Sequence, residues 1–152
     1  MSSARIDRYV PLATEFAARA VMFHDSVARR LDLNVTDLKA LRLLGTEPMT
    51  AGQLAEATEL TGAAVTALVD RLEATGYVTR ERDPEDRRRV TIRAVAAKLR
   101  KLDQLYAGQG AAMAALLAKY DDAGFDAIVD YLVNGAKILA EQTAKLRGTK
   151  AT

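Results

Sequence analysis

A chain of 152 residues, 49% apolar and 28% charged, is about one domain's worth and able to bury a core. It has no cysteine and one histidine, which removes disulfides, thiolate metal sites, thiol nucleophiles and His-rich metal centres, and no cofactor motif is present. The net charge is only +2, yet nine basic residues face four acidic ones between Arg80 and Lys101, a local excess of five positive charges in an otherwise acidic chain.

From the amino terminus, apolar residues recur by threes and fours from Ile6 through Tyr9, Phe16, Phe23 and Val27 to Leu31, which predicts one long amphipathic helix. A shorter helix is expected to start with Thr36 as its cap, run through Leu38, Leu41 and Leu44, and end near Gly45 and Pro48. Thr50-Ala-Gly-Gln53 reads as a capping box opening a brief helix that stops near Glu59. Thr61 caps the next, whose buried stripe is Val65, Leu68, Val69 and Leu72 and which Gly76 ends. Two short helices across a tight turn are a helix-turn-helix candidate.

After Gly76 the period falls to two. Residues 77–82 and 88–93 alternate with frequent β-branched side chains, and Asp83-Pro-Glu-Asp86 between them is a turn signal, so a β-hairpin with a charged tip is expected. Helix resumes from about Ala94 to Ala118 and again from Ala123 to Leu146. The first and last helices are too long to be covered by so small a body. Their apolar faces, carrying Ile6 and Tyr9 on one and Phe125, Leu132 and Leu139 on the other, are therefore read as a homodimer interface, the alternative being that the same stripe packs within the chain. The expected fold is mainly α with a small β-hairpin: one domain over 1–152, with a winged helix-turn-helix at about 34–93 and dimerisation helices at about 5–31 and 94–147. The longest apolar run, Ala111 to Ala118, is far shorter than the ~18 residues of a membrane span, and no signal peptide is evident. A soluble, intracellular protein is expected.

A helix-turn-helix followed at once by a hairpin suits duplex DNA, with a helix in the major groove and the hairpin reaching towards the minor groove. Basic charge gathered in one stretch is the footprint of such a polyanion partner. The recognition-helix candidates are Thr61, Ala63, Ala64, Thr66, Ala67 and Arg71, mostly small, which permits close approach and contact with thymine methyl groups. Arg71 alone could read a base bidentately, so direct readout is modest and DNA shape matters. The wing candidates are Arg82, Arg87, Arg88 and Arg89, cations suited to a narrow groove's negative potential. Thr50 and Gln53 could reach phosphate beside their capping role. No carboxylate forms a catalytic motif and the lone His24 belongs to none, so an enzyme is not expected. The alternative is a winged-helix protein-interaction module, for which three consecutive arginines on the wing would be superfluous.

The run TGAAVTALVDRLEATGYVTRERDPEDRRRVTI, Thr61 to Ile92, resembles the MarR (multiple antibiotic resistance regulator) family of bacterial winged-helix transcription factors. Its pattern falls on Leu68 (displaced by one), Asp70, Arg71, Leu72, Glu73, Gly76, Arg80, Asp83, Asp86 and Arg88. The resemblance implies a homodimeric repressor on a palindromic operator, with Asp70 holding Arg88 to tie the wing to the recognition helix. It also implies release by a small aromatic or phenolic effector, in a crevice for which Phe16, Arg19 and His24 are the candidates. The family's leucine-threonine and following glycine after the second wing strand are replaced here, with Arg93 and Ala96 in those places, so the start of the next helix lacks its usual threonine cap.

Overall fold

The computed structural model describes residues 3–82 and 90–148. Its elements are α1 (Ser3–Arg30), α2 (Val35–Leu44), β1 (Met49–Thr50), α3 (Ala51–Thr58), α4 (Gly62–Ala74), β2 (Val78–Arg82), β3 (Val90–Ala94), α5 (Ala96–Leu117) and α6 (Asp122–Gly148). They divide into two compact units, one up to Leu105 and one from Tyr106 on, with α5 contributing to both.

The first unit holds the core. The core is made of Leu38, Leu41 and Leu44 of α2, Leu54 of α3, and Val65, Leu68, Val69 and Leu72 of α4, all buried. The cap of α2 differs from the Thr36 expectation: it is Asn34. Its side chain accepts from the Asp37 N–H at 2.8 Å while the Asp37 carboxylate accepts from the Asn34 N–H at 3.3 Å. Both Asn and Thr make good caps, but the reciprocal bond needs an acceptor three residues on. Asn34 has Asp37 there, whereas Thr36 has Lys39. The start of α3 follows the expected box, with the Gln53 N–H donating to Thr50 Oγ1 at 3.3 Å and the Thr50 N–H to Gln53 Oε1 at 2.9 Å.

The hairpin is part of a larger sheet than the two strands expected. β2 and β3 pair antiparallel from Val78↔Ala94 to Arg82↔Val90, and β1 adds a third strand through Met49↔Ile92 and Thr50↔Thr91, in the order β1-β3-β2. Two residues are too few to show a period, which is why β1 has no signature in the sequence. Its consequence is mechanical: the residue that caps α3 also stands opposite Thr91 in the wing's sheet.

In the second unit, no side chain of the end of α5 or of α6 is fully buried among the residues whose burial is described, up to Leu146. Phe125, Val129, Leu132 and Leu139 remain exposed, Leu139 at 69%. Helix α1 likewise exposes Ile6, Tyr9, Val10, Leu12 and Phe16, becoming buried only from Val27 towards Leu31.

Candidate DNA interface

The turn from α3 to α4 is closed by Leu60 N–H donating to the Ala55 carbonyl at 3.1 Å and by Glu59 in the left-handed conformation, φ 59°. Thr61 then caps α4, its hydroxyl accepting from the Ala64 N–H at 3.2 Å. With Val65, Leu68, Val69 and Leu72 facing the core, Ala63, Ala64, Thr66, Ala67 and Asp70 are left exposed on the other side. The Thr66 hydroxyl donates to its own helix at the Gly62 carbonyl, 3.0 Å, so towards a ligand it offers a methyl group and lone pairs but no proton.

Arg71 does not project freely, as the base-reading expectation required. Its Nη2 donates to Asp37 Oδ1 at 2.5 Å and its Nε to Asp37 Oδ2 at 3.3 Å, a fork-on-carboxylate pair reaching from α4 to α2. The hydrogen bond to that carboxylate holds the guanidinium pKa above its usual value, against the opposing effect of burial.

Asp70 is engaged by Arg80 of β2, whose Nη2 donates to Asp70 Oδ1 at 2.5 Å while its Nη1 donates to Glu73. These two carboxylates, Asp70 first, raise the Arg80 pKa. The wing is thus tied to the recognition helix through its first strand. Arg87, Arg88 and Arg89, and with them the expected Asp70–Arg88 pair, lie outside the described residues. Arg82 ends β2 and is exposed, and Arg93 is bound across the hairpin to Glu81 at 2.9 Å. The roles of Asp37, Glu73 and Arg80 as internal ties were not readable without the register that brings them together.

Of the effector candidates, Phe16 is exposed, Arg19 pairs with Glu15 at 3.3 Å, and His24 meets Phe23 edge to face at 5.9 Å. A cavity of about 350 Å³ lies between α4 and the wing, lined by Ala51, Thr66, Val69, Arg80, Val90 and Ile92. Another of about 210 Å³ lies between the end of α2 and α5, lined by Arg42, Gly45, Thr46, Leu99, Leu102 and Asp103. Neither is lined by Phe16, Arg19 or His24. Among the described residues no helix is long and apolar enough to cross a membrane.

A capped two-helix reading head with a small exposed face, braced by an antiparallel wing, defines a winged helix-turn-helix DNA-binding protein. The comparisons agree. Residues 31–89 match the model of the MarR family. The HTH-type transcriptional regulator YcgE of Bacillus subtilis is 38% identical over 139 residues, covering 91% of this chain and 90% of the relative. The HTH-type transcriptional repressor YetL of the same organism is 31% identical over 96 residues, 63% of this chain and 54% of that one. Among solved structures, a MarR family protein from Bacillus stearothermophilus superposes with a TM-score of 0.66 at 24% identity, covering 94% and 99% of the two chains. A mutant of Staphylococcus aureus MepR bound to an oligodeoxyribonucleotide gives 0.63 at 19% identity, covering 86% and 97%. The chain belongs to the MarR family of DNA-binding transcriptional regulators, and is not an enzyme.

Proposed function

We propose that the protein is a homodimeric repressor of the bacterial cytoplasm that binds a palindromic operator and is released by a small aromatic or phenolic ligand. The observation that carries the DNA arm is the exposed face of α4. Ala63, Ala64, Thr66 and Ala67 offer no bulk, so the helix can sit deep in a major groove, where the alanine methyls and the Thr66 methyl meet thymine methyl groups. Thr50, Gln53 and Thr61 stand at helix starts, where phosphate is favoured, and Arg82 with Arg87, Arg88 and Arg89 supplies cations for the wing. With so few base-reading donors on α4, sequence is read substantially through DNA shape. The repressor arm follows YetL, a repressor by name, and MepR, whose mutant was solved on DNA. The ligand arm rests on the family resemblance, with Phe16, Arg19 and His24 of α1 as its candidate contacts.

Dimerisation is supported by the uncovered apolar faces of α1 and α6, since exposed apolar area of this extent marks an interaction surface. A two-fold dimer would present two copies of α4 to successive half-sites on one side of the duplex.

Binding to duplex DNA from just upstream of its own gene, titrated with salt against a scrambled duplex, tests the reading. A preference of ~10³ or more with a steep salt slope is expected. Absence of binding at low salt would leave a protein-interaction module as the better account. Sedimentation of a variant with both Leu132 and Leu139 replaced by glutamate is expected to show a monomer, and an unchanged dimer mass would refute the interface.

A further inference from the structure

Asp37 is the buried charged side chain among the described residues, only 2% exposed, and it does two things at once. One oxygen accepts from the Asn34 N–H and closes the cap of α2, and both oxygens grip Arg71 of α4. A buried carboxylate is tolerated where it is paired and hydrogen-bonded, as here. The grip occupies one edge of the guanidinium, Nε with Nη2. The other edge, carried by Nη1, has only a long 3.5 Å approach to the Ala67 carbonyl, and Arg71 is half exposed. Arg71 also follows Ala63 and Ala67 at intervals of four, on the same exposed stripe of the recognition helix.

We propose that Asp37 is a positioning residue for DNA binding: through Arg71 it fixes a phosphate-contacting edge at the far end of the recognition helix. A phosphate is favoured over a base by place and by tether. Base edges are met by the amino-terminal residues of such a helix, whereas Arg71 is the tenth of thirteen in α4. A guanidinium anchored back to α2 cannot extend into the groove, yet it remains charged and rigidly aimed, which suits backbone contact. The inference rests on α4 being the recognition helix.

The test compares Asp37→Asn, Arg71→Gln, Arg71→Lys and the double variant D37N/R71Q, with fluorescein-labelled duplexes of upstream and scrambled sequence. Each is measured at a temperature where circular dichroism shows it folded. R71Q is expected to weaken both duplexes alike, roughly 3–10-fold, and to lower the salt slope by about one. D37N is expected to do much the same, and the double variant to bind no more weakly than either single one. R71K keeps the charge but cannot make the forked bond, and is expected to lose affinity too. An Asp37 that served only stability would leave affinity level, or raise it by removing a negative charge near DNA. That outcome for D37N, or wild-type binding by R71K should D37N not fold, overturns the proposal. Ala67→Glu separates the two readings. If it abolishes binding while the Arg71 variants do nothing, Asp37 has no positioning role; if it too binds normally, α4 is not the recognition helix and the proposal falls with it.

Discussion

The Tyr77 hydroxyl donates to the Leu31 carbonyl at 2.9 Å across 46 residues of sequence, and both groups are buried. Tyr77 is the last of the three residues between α4 and β2. Leu31 is the first residue past α1, where the chain turns through Asp32 at φ 56°. The Tyr77 carbonyl accepts from the Val95 N–H at 2.9 Å, and Lys98 of α5 lies over its ring at 4.5 Å. One side chain therefore joins the end of α1 and the start of α5 to the root of the wing.

Tyr77→Phe should keep the packing but leave the Leu31 carbonyl without its partner. A buried acceptor so orphaned costs about 1–2 kcal/mol, or roughly 2–8 °C in a chain of this size, measurable by thermal melting. Burial first, and the Asp32 charge second, raise the Tyr77 pKa above the ordinary phenol value. The group is then favoured in its neutral form when folded, so its contribution is present below pH ~10 and is lost as pH rises towards the folded value. Wild-type stability should fall more steeply above that pH than stability of the Phe variant, and parallel curves would remove Tyr77 from the account.

Two glycines are needed for different reasons, and substitution separates them. Gly76 has φ 71°, and a Cβ there would meet nothing within 4 Å. Gly76→Ala should still lose about 1–2 kcal/mol, because the left-handed conformation itself opposes a side chain. Gly45 has φ −74°, which any residue adopts, but a Cβ would stand 3.3 Å from both the Leu41 carbonyl and Leu99 Cδ2. Gly45→Ala should lose about 1–3 kcal/mol by overpacking α2 against α5. Measured by urea unfolding, the loss from Gly45→Ala should be smaller in a Leu99→Ala background than in the wild type, with the Leu41 carbonyl contact remaining, whereas the loss from Gly76→Ala should be the same in both.

Helix types and most boundaries were legible because α3, α4 and the buried stripe of α4 carry their signals locally, in Thr50 with Gln53 and in Thr61 with Val65, Leu68 and Leu72. Thr36 has the residue type of a cap, but only Asn34 has three residues on the acceptor that a reciprocal pair needs. Thr36→Ala should change stability by only a few tenths of a kcal/mol, whereas Asn34→Ala should lose ~1 kcal/mol in the same denaturant titration. What escaped were β1 and the ties of Asp37 to Arg71 and of Asp70 and Glu73 to Arg80. Each joins residues distant in sequence, and a carboxylate at a helical position looks the same there whether it faces water or a guanidinium from another element. The exposed face of α4, by contrast, follows directly from the buried one, since 3.6 residues per turn leave Ala63, Ala64, Thr66 and Ala67 nowhere else to point.

Arg80 decides what Asp70 and Glu73 do to DNA. Both carboxylates stand on the recognition helix, where phosphates would be repelled, and Arg80 of β2 covers both. The three side chains are each at least one-third exposed, so the network adds less than ~1 kcal/mol to stability. Arg80→Gln should consequently melt close to wild type. Its affinity for DNA should nevertheless drop by about tenfold or more, because two uncovered like charges are then turned on the backbone and the wing loses its tie to α4. Adding D70N and E73Q in the R80Q background separates those causes. Recovery of affinity in anisotropy titrations would assign the loss to the uncovered charges, and persistence of the loss would assign it to the freed wing. Wild-type affinity in R80Q itself would show that neither the charges nor the tie matters to binding.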